Sequence, residues 1–376
     1  MINEKSPITA GTVTGAILNE NVMSKDINYL VRKQDNLIPP PDFDLNGEPP
    51  QPENNFLIVR SMNDWINEAK NLKIPARLLG NFWFESEMVI LFASGGVGKT
   101  LLAYQTAAGI SEGKNILIFE AETPPQITLY LDLELSAKQI ESRYSNHWQD
   151  HYIFNDNFFR AEINTDSEIP DNVKFDEFII HQVEVAVIQT GAKILIVDNI
   201  TIFTDEQEKA KVALKLMKQL KRLKAKYQLS ILVLAHTPKR DASRPITRND
   251  ISGSSMILNF TDSAFAIGES ANDPDVRYLK QVKPGRFSST VYDANNILVC
   301  KIANTLNFTQ YEFLRFGKED EHLKQFNQKA DRDSEILKLH QQGLSLRDIA
   351  QKIGLSAEAV RKIISKNPAS KNDEPF

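Results

Sequence analysis

Short apolar runs alternate with helical stretches along the middle of this chain. MVILFAS (88–94) is unbroken in its apolar character and as long as a strand buried on both faces, and it empties into a glycine-rich turn. The pattern then predicts a helix over about 99–111, strands at ILIFE (116–120) and ITLYLDLE (127–134), and a helix in SAKQIESRYS capped by Ser136. KILIVDN (193–199) reads as another buried strand of a parallel sheet. A helix over about 206–227 carries Ala213, Leu216, Leu220, Leu223 and Tyr227 at helical spacing, with lysines on its other face, and LSILVLAH (229–236) follows as a strand. AFAIG, VRYLKQV, NILVCKIA and YEFLRFG recur without long helices between them, which predicts a mixed or antiparallel edge. The fold class is α/β.

The flanks read differently. Residues 1–55 have no sustained period, and IPPPDFDLNGEPPQPENN (38–55) cannot support helix or sheet; the expectation is a disordered or extended segment. SMNDWINEAKNLKIP predicts a short helix, with Ser61 or Asn63 as its cap and Trp65, Ile66 and Ala69 on one face. The main domain is expected over 56–322, followed by a charged linker (323–332), a small helical unit (333–366) and a disordered tail (367–376).

Composition narrows the partners. Forty-four basic residues stand against forty-nine acidic, so any nucleic-acid contact must be local. A single cysteine, Cys300, excludes an intramolecular disulfide framework and a thiolate-rich metal site. No apolar run approaches the roughly 20 residues that span a membrane. MINEKSPITAG lacks the basic start and apolar block of a secretion signal, so the expectation is a soluble cytoplasmic protein without a membrane partner.

The glycine turn carries the chemistry. ASGGVGKT (93–100) has the arrangement of a phosphate-binding loop, in which backbone amides face phosphate oxygens. Ser94, Gly95, Gly96, Val97, Gly98, Lys99, Thr100 and Leu101 are the expected ATP contacts; Lys99 would reach the β and γ oxygens and Thr100 would bind Mg²⁺. Ala93 stands where the usual pattern has glycine, at a position that has only to start the turn. Asp198, ending KILIVD, is the expected second holder of the magnesium shell, with Asn199 beside it. Hydrolysis also needs a group that aligns or deprotonates water. Glu120 and Glu122 end one strand-like run, Asp132 and Glu134 the other, and periodicity does not choose among them. His236 ends LSILVLAH and is a candidate γ-phosphate sensor, although a lone histidine is more often simply hydrogen-bonded. The loop after it, TPKRDASRPITRND (237–250), gathers Lys239, Arg240, Arg244 and Arg248, candidates for holding a DNA backbone.

Taken together these segments resemble the RecA-type fold and, more narrowly, the hexameric plasmid replicative helicases of the RepA type and their AAA-family relatives in Bacteroidota mobile elements. LLGNFWFESEMVILFASGGVGKTLLAYQTA, LYLDLELSAKQIESRYS, ILIVDNIT, ILVLAHTPK, ISGSSMILNFTDSAFAIG and RYLKQVKPGR match in order, over about 58–322. The resemblance implies a RecA-like P-loop NTPase core, an ATP hydrolase and possible DNA helicase, with Glu134 as the water-activating carboxylate and Glu122 in reserve. It gives His236 the sensor role, and implies a homo-oligomer, a hexamer, with single-stranded DNA in its channel. A basic residue completes the neighbour's ATP site in such proteins; the matching strand offers Lys283 and Arg286, separated here by Pro284 and Gly285.

SEILKLHQQGLSLRDIAQKIGLSAEAVRKIISK resembles a helix-turn-helix of the resolvase or sigma-factor sort. Gly343 breaks the first helix, Ser345 and Ser356 cap the next two, Gly354 makes the turn, and Ile349, Ala350, Ile353, Val360, Ile363 and Ile364 face inward. Arg361, Lys362 and Lys366 lie on the outer face of the last helix, suited to duplex DNA. Six basic residues against four acidic over 333–366 leave a protein-contact module open.

Overall fold

The computed structural model describes residues 57–171, 173–199, 209–238, 240–251, 255–287, 289–324 and 330–366. The chain divides into two units between Leu72 and Lys73. In the first, Ser61 accepts the Asp64 N–H at 3.1 Å and caps helix α1 (Met62–Ala69), as its sequence requires. Trp65 and Ile66 on the predicted apolar face are exposed.

The second unit is built on a nine-stranded sheet. In chain order its strands are β1 (Met88–Ala93), β2 (Thr128–Asp132), β3 (Phe158–Ala161), β4 (Ile194–Asp198), β5 (Ser230–His236), β6 (Ser263–Glu269), β7 (Val276–Lys283), β8 (Ile297–Thr305) and β9 (Phe308–Gly317). Their spatial order is β9-β8-β7-β6-β1-β5-β4-β2-β3. From β6 to β3 every pairing is parallel; β7, β8 and β9 extend the sheet antiparallel, the mixed edge the pattern predicts.

Helices follow the parallel strands, as crossover connections demand. Helix α2 (Lys99–Glu112) has no polar face because it is enclosed nearly all round, and Gln105 ties it to the Tyr311 backbone of β9 at 3.0 and 2.9 Å. Helix α3 (Ala137–Arg143) begins with a capping box between Ser136 and Gln139. Helix α4 (Phe175–Thr190) buries Ile179, Ile180, Val183 and Val187, and α5 (Lys209–Tyr227) buries Ala213, Leu216, Leu220 and Leu223, within one core cluster. Each fully buried leucine there contributes about 1.5–3 kcal/mol. A short α6 (Ser255–Leu258) precedes β6.

ILIFE is a correction. Ile116 and Phe119 exchange backbone hydrogen bonds at 3.0 and 2.9 Å across a tight turn with Leu117 at φ 55°, so the run forms a bridge and no strand. Ile116 is buried against α2, where it occupies the volume that a Cβ on Gly109 would need, whereas Ile118 is exposed.

At the C-terminal end, α7 (Ala330–Gln341), α8 (Leu346–Ile353) and α9 (Ala357–Lys366) enclose a small core of Ile336, Leu339, Ile349, Ala350 and Val360. Ser345 caps α8 through the Asp348 N–H at 3.3 Å, and Gly354 ends it at φ 74°.

Candidate functional site

Parallel register assembles the site. Ala93 is paired with His236 across β1 and β5, and Asp132 with Asp198 across β2 and β4, so the carboxyl ends of four strands form one row. In open α/β sheets this end is where ligands bind. A cleft of about 290 Å³ opens there, lined among others by Gly96, Gly98, Lys99, Thr100, Glu134 and His236.

The loop geometry answers the question posed by Ala93. That residue is the last of β1, 2% exposed and absent from the positive-φ positions, so its Cβ costs nothing. The left-handed turns fall on Gly96 (φ 76°) and Gly98 (φ 105°). A Cβ on Gly98 would lie 2.6 Å from Tyr311 Oη, the hydroxyl that donates to Val97 O at 2.8 Å. Around Gly95 and Gly96 nothing lies within 4 Å of the corresponding position, which leaves that face of the loop open.

Lys99 is 5% exposed and its ammonium donates to Ala93 O, Ser94 O and His236 Nδ1, each at 3.1 Å. Burial pushes it below the ordinary lysine value, against the pull of Glu134 and Asp198. Nδ1 of the imidazole faces the ammonium, and Nε2 faces Glu134 Oε1 at 3.1 Å. Asn199 donates its amide to the same carboxylate and lies 2.8 Å from His236 Nε2.

Asp198 is fully buried. Tyr130 Oη donates to its Oδ2 at 2.8 Å, while Oδ1 has no hydrogen-bond partner. Burial lifts the carboxyl to about 6, opposed by Thr100 and Tyr130 and reinforced by Glu134 and Asp132. A buried carboxylate oxygen without a partner, beside the Thr100 hydroxyl, is a donor set that suits a hard divalent cation. Among the described residues no group of three or more acidic, histidine or cysteine side chains makes a self-sufficient metal site, so an ion here would depend on phosphate oxygens as well.

The other carboxylates are engaged elsewhere. Glu122 pairs with Arg77 at 2.8 Å, outside this cleft, and Asp132 is consumed by the turn it starts, accepting the Glu134 and Leu135 amides at 3.1 and 3.0 Å. Glu120 is exposed beside Glu122. Lys283 and Arg286 are not brought to the loop. Lys283 donates to Leu258 O at 2.8 Å and Thr261 O at 2.5 Å. Arg286 pairs with Asp262 at 3.1 Å, level with Met88 at the start of β1, a strand length of about 17 Å from the glycine turn.

Part of the basic loop is tied down within the chain. Arg240 donates to Arg244 O and is largely buried, and Arg248 Nε donates to Val282 O at 3.1 Å. Arg244 and Arg248 are exposed, Arg244 paired with Asp241 at 3.4 Å; Lys239 lies outside the described residues. Arg361, Lys362 and Lys366 are exposed on α9. Arg143, which lines the cleft, was not singled out by sequence reasoning: it ends α3, and nothing in its spacing distinguishes it from a helix-terminal base.

A glycine loop between a central parallel strand and a buried helix, facing acidic strand ends, defines a RecA-like P-loop nucleoside triphosphatase core. Residues 59–242 match the family described as AAA domain, a likeness that supports nucleotide binding and ATPase activity in general. No curated protein matches the sequence. Among solved structures, a KaiC-like protein from the hyperthermophilic archaeon Pyrococcus horikoshii OT3 is similar at 15% identity over 61% of this chain and 90% of its own, with a TM-score of 0.42. Among the described residues no helix is long and apolar enough to cross a membrane.

Proposed function

We propose that this chain is a Mg²⁺-dependent, ring-forming ATPase acting on DNA, a helicase or translocase of the RepA type serving plasmid or mobile-element replication. The observation that carries the catalytic part is the line Lys99–His236–Glu134, which joins the ends of three parallel strands in one cleft. The Lys99 ammonium is held by two backbone carbonyls and the His236 imidazole. A triphosphate offers anionic oxygens in their place, a stronger partner for a buried cation. His236 then loses its bond from Lys99 and is free to face the terminal phosphate, which gives the loop from Thr237 onward a reason to move. Glu134, released from His236 Nε2, takes the proton of the attacking water. Thr100 and Asp198 would hold Mg²⁺, which when bound screens the charge on the phosphates.

Arg286 is our choice for the group acting on a neighbour's nucleotide. The Lys283 amine is tied to backbone carbonyls, whereas the Arg286 side chain is 74% exposed at the far end of the sheet from its own loop. A ring, with six copies as our reading, would bring the two ends together.

A second reading is an ATP-switched DNA-binding regulator that does not unwind. It is favoured by the tethering of Arg240 within the loop and by the exposed bases of α9, which suit a duplex groove if 333–366 works as a helix-turn-helix. Unwinding of a forked duplex, with Lys99→Ala as the control, separates the two. Strand separation with ATPase stimulated by single strands supports the helicase. Tight duplex binding without separation supports the regulator, and an unchanged ATPase rate in Lys99→Ala overturns the site itself.

A further inference from the structure

Glu134 stands on a turn whose shape is set from the edge of the sheet. Asp132 ends β2 with its side chain fully buried; Oδ1 accepts the Glu134 and Leu135 amides, and Oδ2 accepts Tyr104 Oη at 2.8 Å and Arg160 Nε at 3.0 Å. Arg160 comes from β3, in register with Tyr130, and its Nη2 donates to Leu135 O at 2.6 Å while Nη1 reaches Glu162 at 2.6 Å. One guanidinium therefore grips both ends of the Asp132–Leu135 turn, and Tyr104 ties the same carboxylate to α2, the helix of the phosphate loop. Fixing the carboxylate at Asp132 and the carbonyl at Leu135 leaves the backbone of Glu134 little freedom.

We propose that Arg160 is a positioning residue for ATP hydrolysis: its clamp on Asp132 and Leu135 aims Glu134 at the attacking water. This rests on Glu134 being the proton acceptor. Arg160 lines no part of the phosphate cleft, so losing it misaims the base and leaves the nucleotide's own contacts in place. Misplacement of a reacting group by about 1 Å costs on the order of 100-fold in rate.

The test uses the full-length protein and two variants. Arg160→Lys keeps a cation against the buried Asp132 but cannot span to Leu135 with a second planar donor. Arg160→Ala combined with Asp132→Asn removes cation and anion together, keeping an oxygen for the two amides. Turnover is measured by phosphate release, and binding separately with a fluorescent ATP analogue. We expect affinity within about twofold of the parent, kcat down about tenfold in the lysine variant, and a larger loss in the double variant. A lysine variant with normal affinity and kcat within twofold of the parent overturns the proposal, and so does a parallel loss of affinity and rate, the mark of a general structural role. Glu134→Gln, run alongside, reports on the underlying reading: if it turns over normally, the assignment of Glu134 fails whatever Arg160 does.

Discussion

Replacing Asp198 by asparagine is expected to reverse the sign of its effect on stability between acid and neutral pH while destroying activity. The carboxyl is raised from the ordinary 3.8 to about 6 by burial, a difference of about 2 pH units or about 3 kcal/mol. The folded state therefore holds this proton more tightly than the unfolded chain. As pH rises from about 4 to about 6 the folded protein loses that margin, up to about 3 kcal/mol, and the loss persists above 6. Asparagine carries no charge and escapes the loss. It keeps an oxygen for Tyr130 Oη but buries an amide N–H in place of the unpartnered Oδ1, at a cost of about 1–3 kcal/mol. The variant should thus be about 1–3 kcal/mol less stable than the parent near pH 4 and equal or more stable by pH 7.5, the difference between the two swinging by about 3 kcal/mol. Urea melts of both proteins in EDTA at several pH values read this directly. ATP turnover should fall by about 100-fold or more, because the cation's carboxylate is gone. A stability difference that stays flat with pH, or moves in the parent's favour as pH rises, would refute the burial argument.

Three further outcomes follow from the geometry. Gly98→Ala should weaken nucleotide binding by about tenfold or more, since φ 105° and a contact of 2.6 Å with Tyr311 Oη both oppose a Cβ; adding Tyr311→Phe relieves the contact but not the backbone, so isothermal titration of the double variant should show no full recovery. Arg286→Ala should lower turnover by about 100-fold or more with nucleotide affinity held. Mixtures of this variant with Glu134→Gln should regain activity through composite sites, and absence of any recovery counts against action in trans. Ile349→Ala should cost the C-terminal helices about 2–5 kcal/mol, because Ile349 is fully enclosed in a core of very few residues; duplex binding measured by fluorescence anisotropy should drop while ATPase persists, and unchanged duplex binding would separate DNA contact from these helices.

Much of the frame was legible in local pattern. MVILFAS, KILIVD and LSILVLAH are short and apolar throughout, which is what strands covered on both faces require, and each became β1, β4 or β5 with its bounds nearly as read. Ser61, Ser136 and Ser345 cap because a hydroxyl satisfies amides two or three residues on, an interaction entirely local. ILIFE misled because its composition suits a strand, whereas the run closes a tight turn that buries Ile116 against α2. Helix α4 is not legible locally: FIIHQVEVAVIQT is rich in β-branched residues, and packing in the core shared with α5, not propensity, makes it helical.

The sequence by itself determined the phosphate loop, the central apolar strands and the set of acidic and basic residues from which a site could be drawn. Those follow from periods of two and 3.6 residues and from the few residue types that tolerate a phosphate turn. Tertiary structure decided which of that set meet. Sheet register set Ala93 opposite His236 and Asp132 opposite Asp198, removed Glu122 to Arg77, spent Asp132 on a turn, and left Glu134 facing the cleft. It also placed Ala93 on strand backbone, where a methyl group is harmless, and gave Arg160 its grip on that turn from another strand. Register and burial depend on residues far apart in the chain, and no local window contains them.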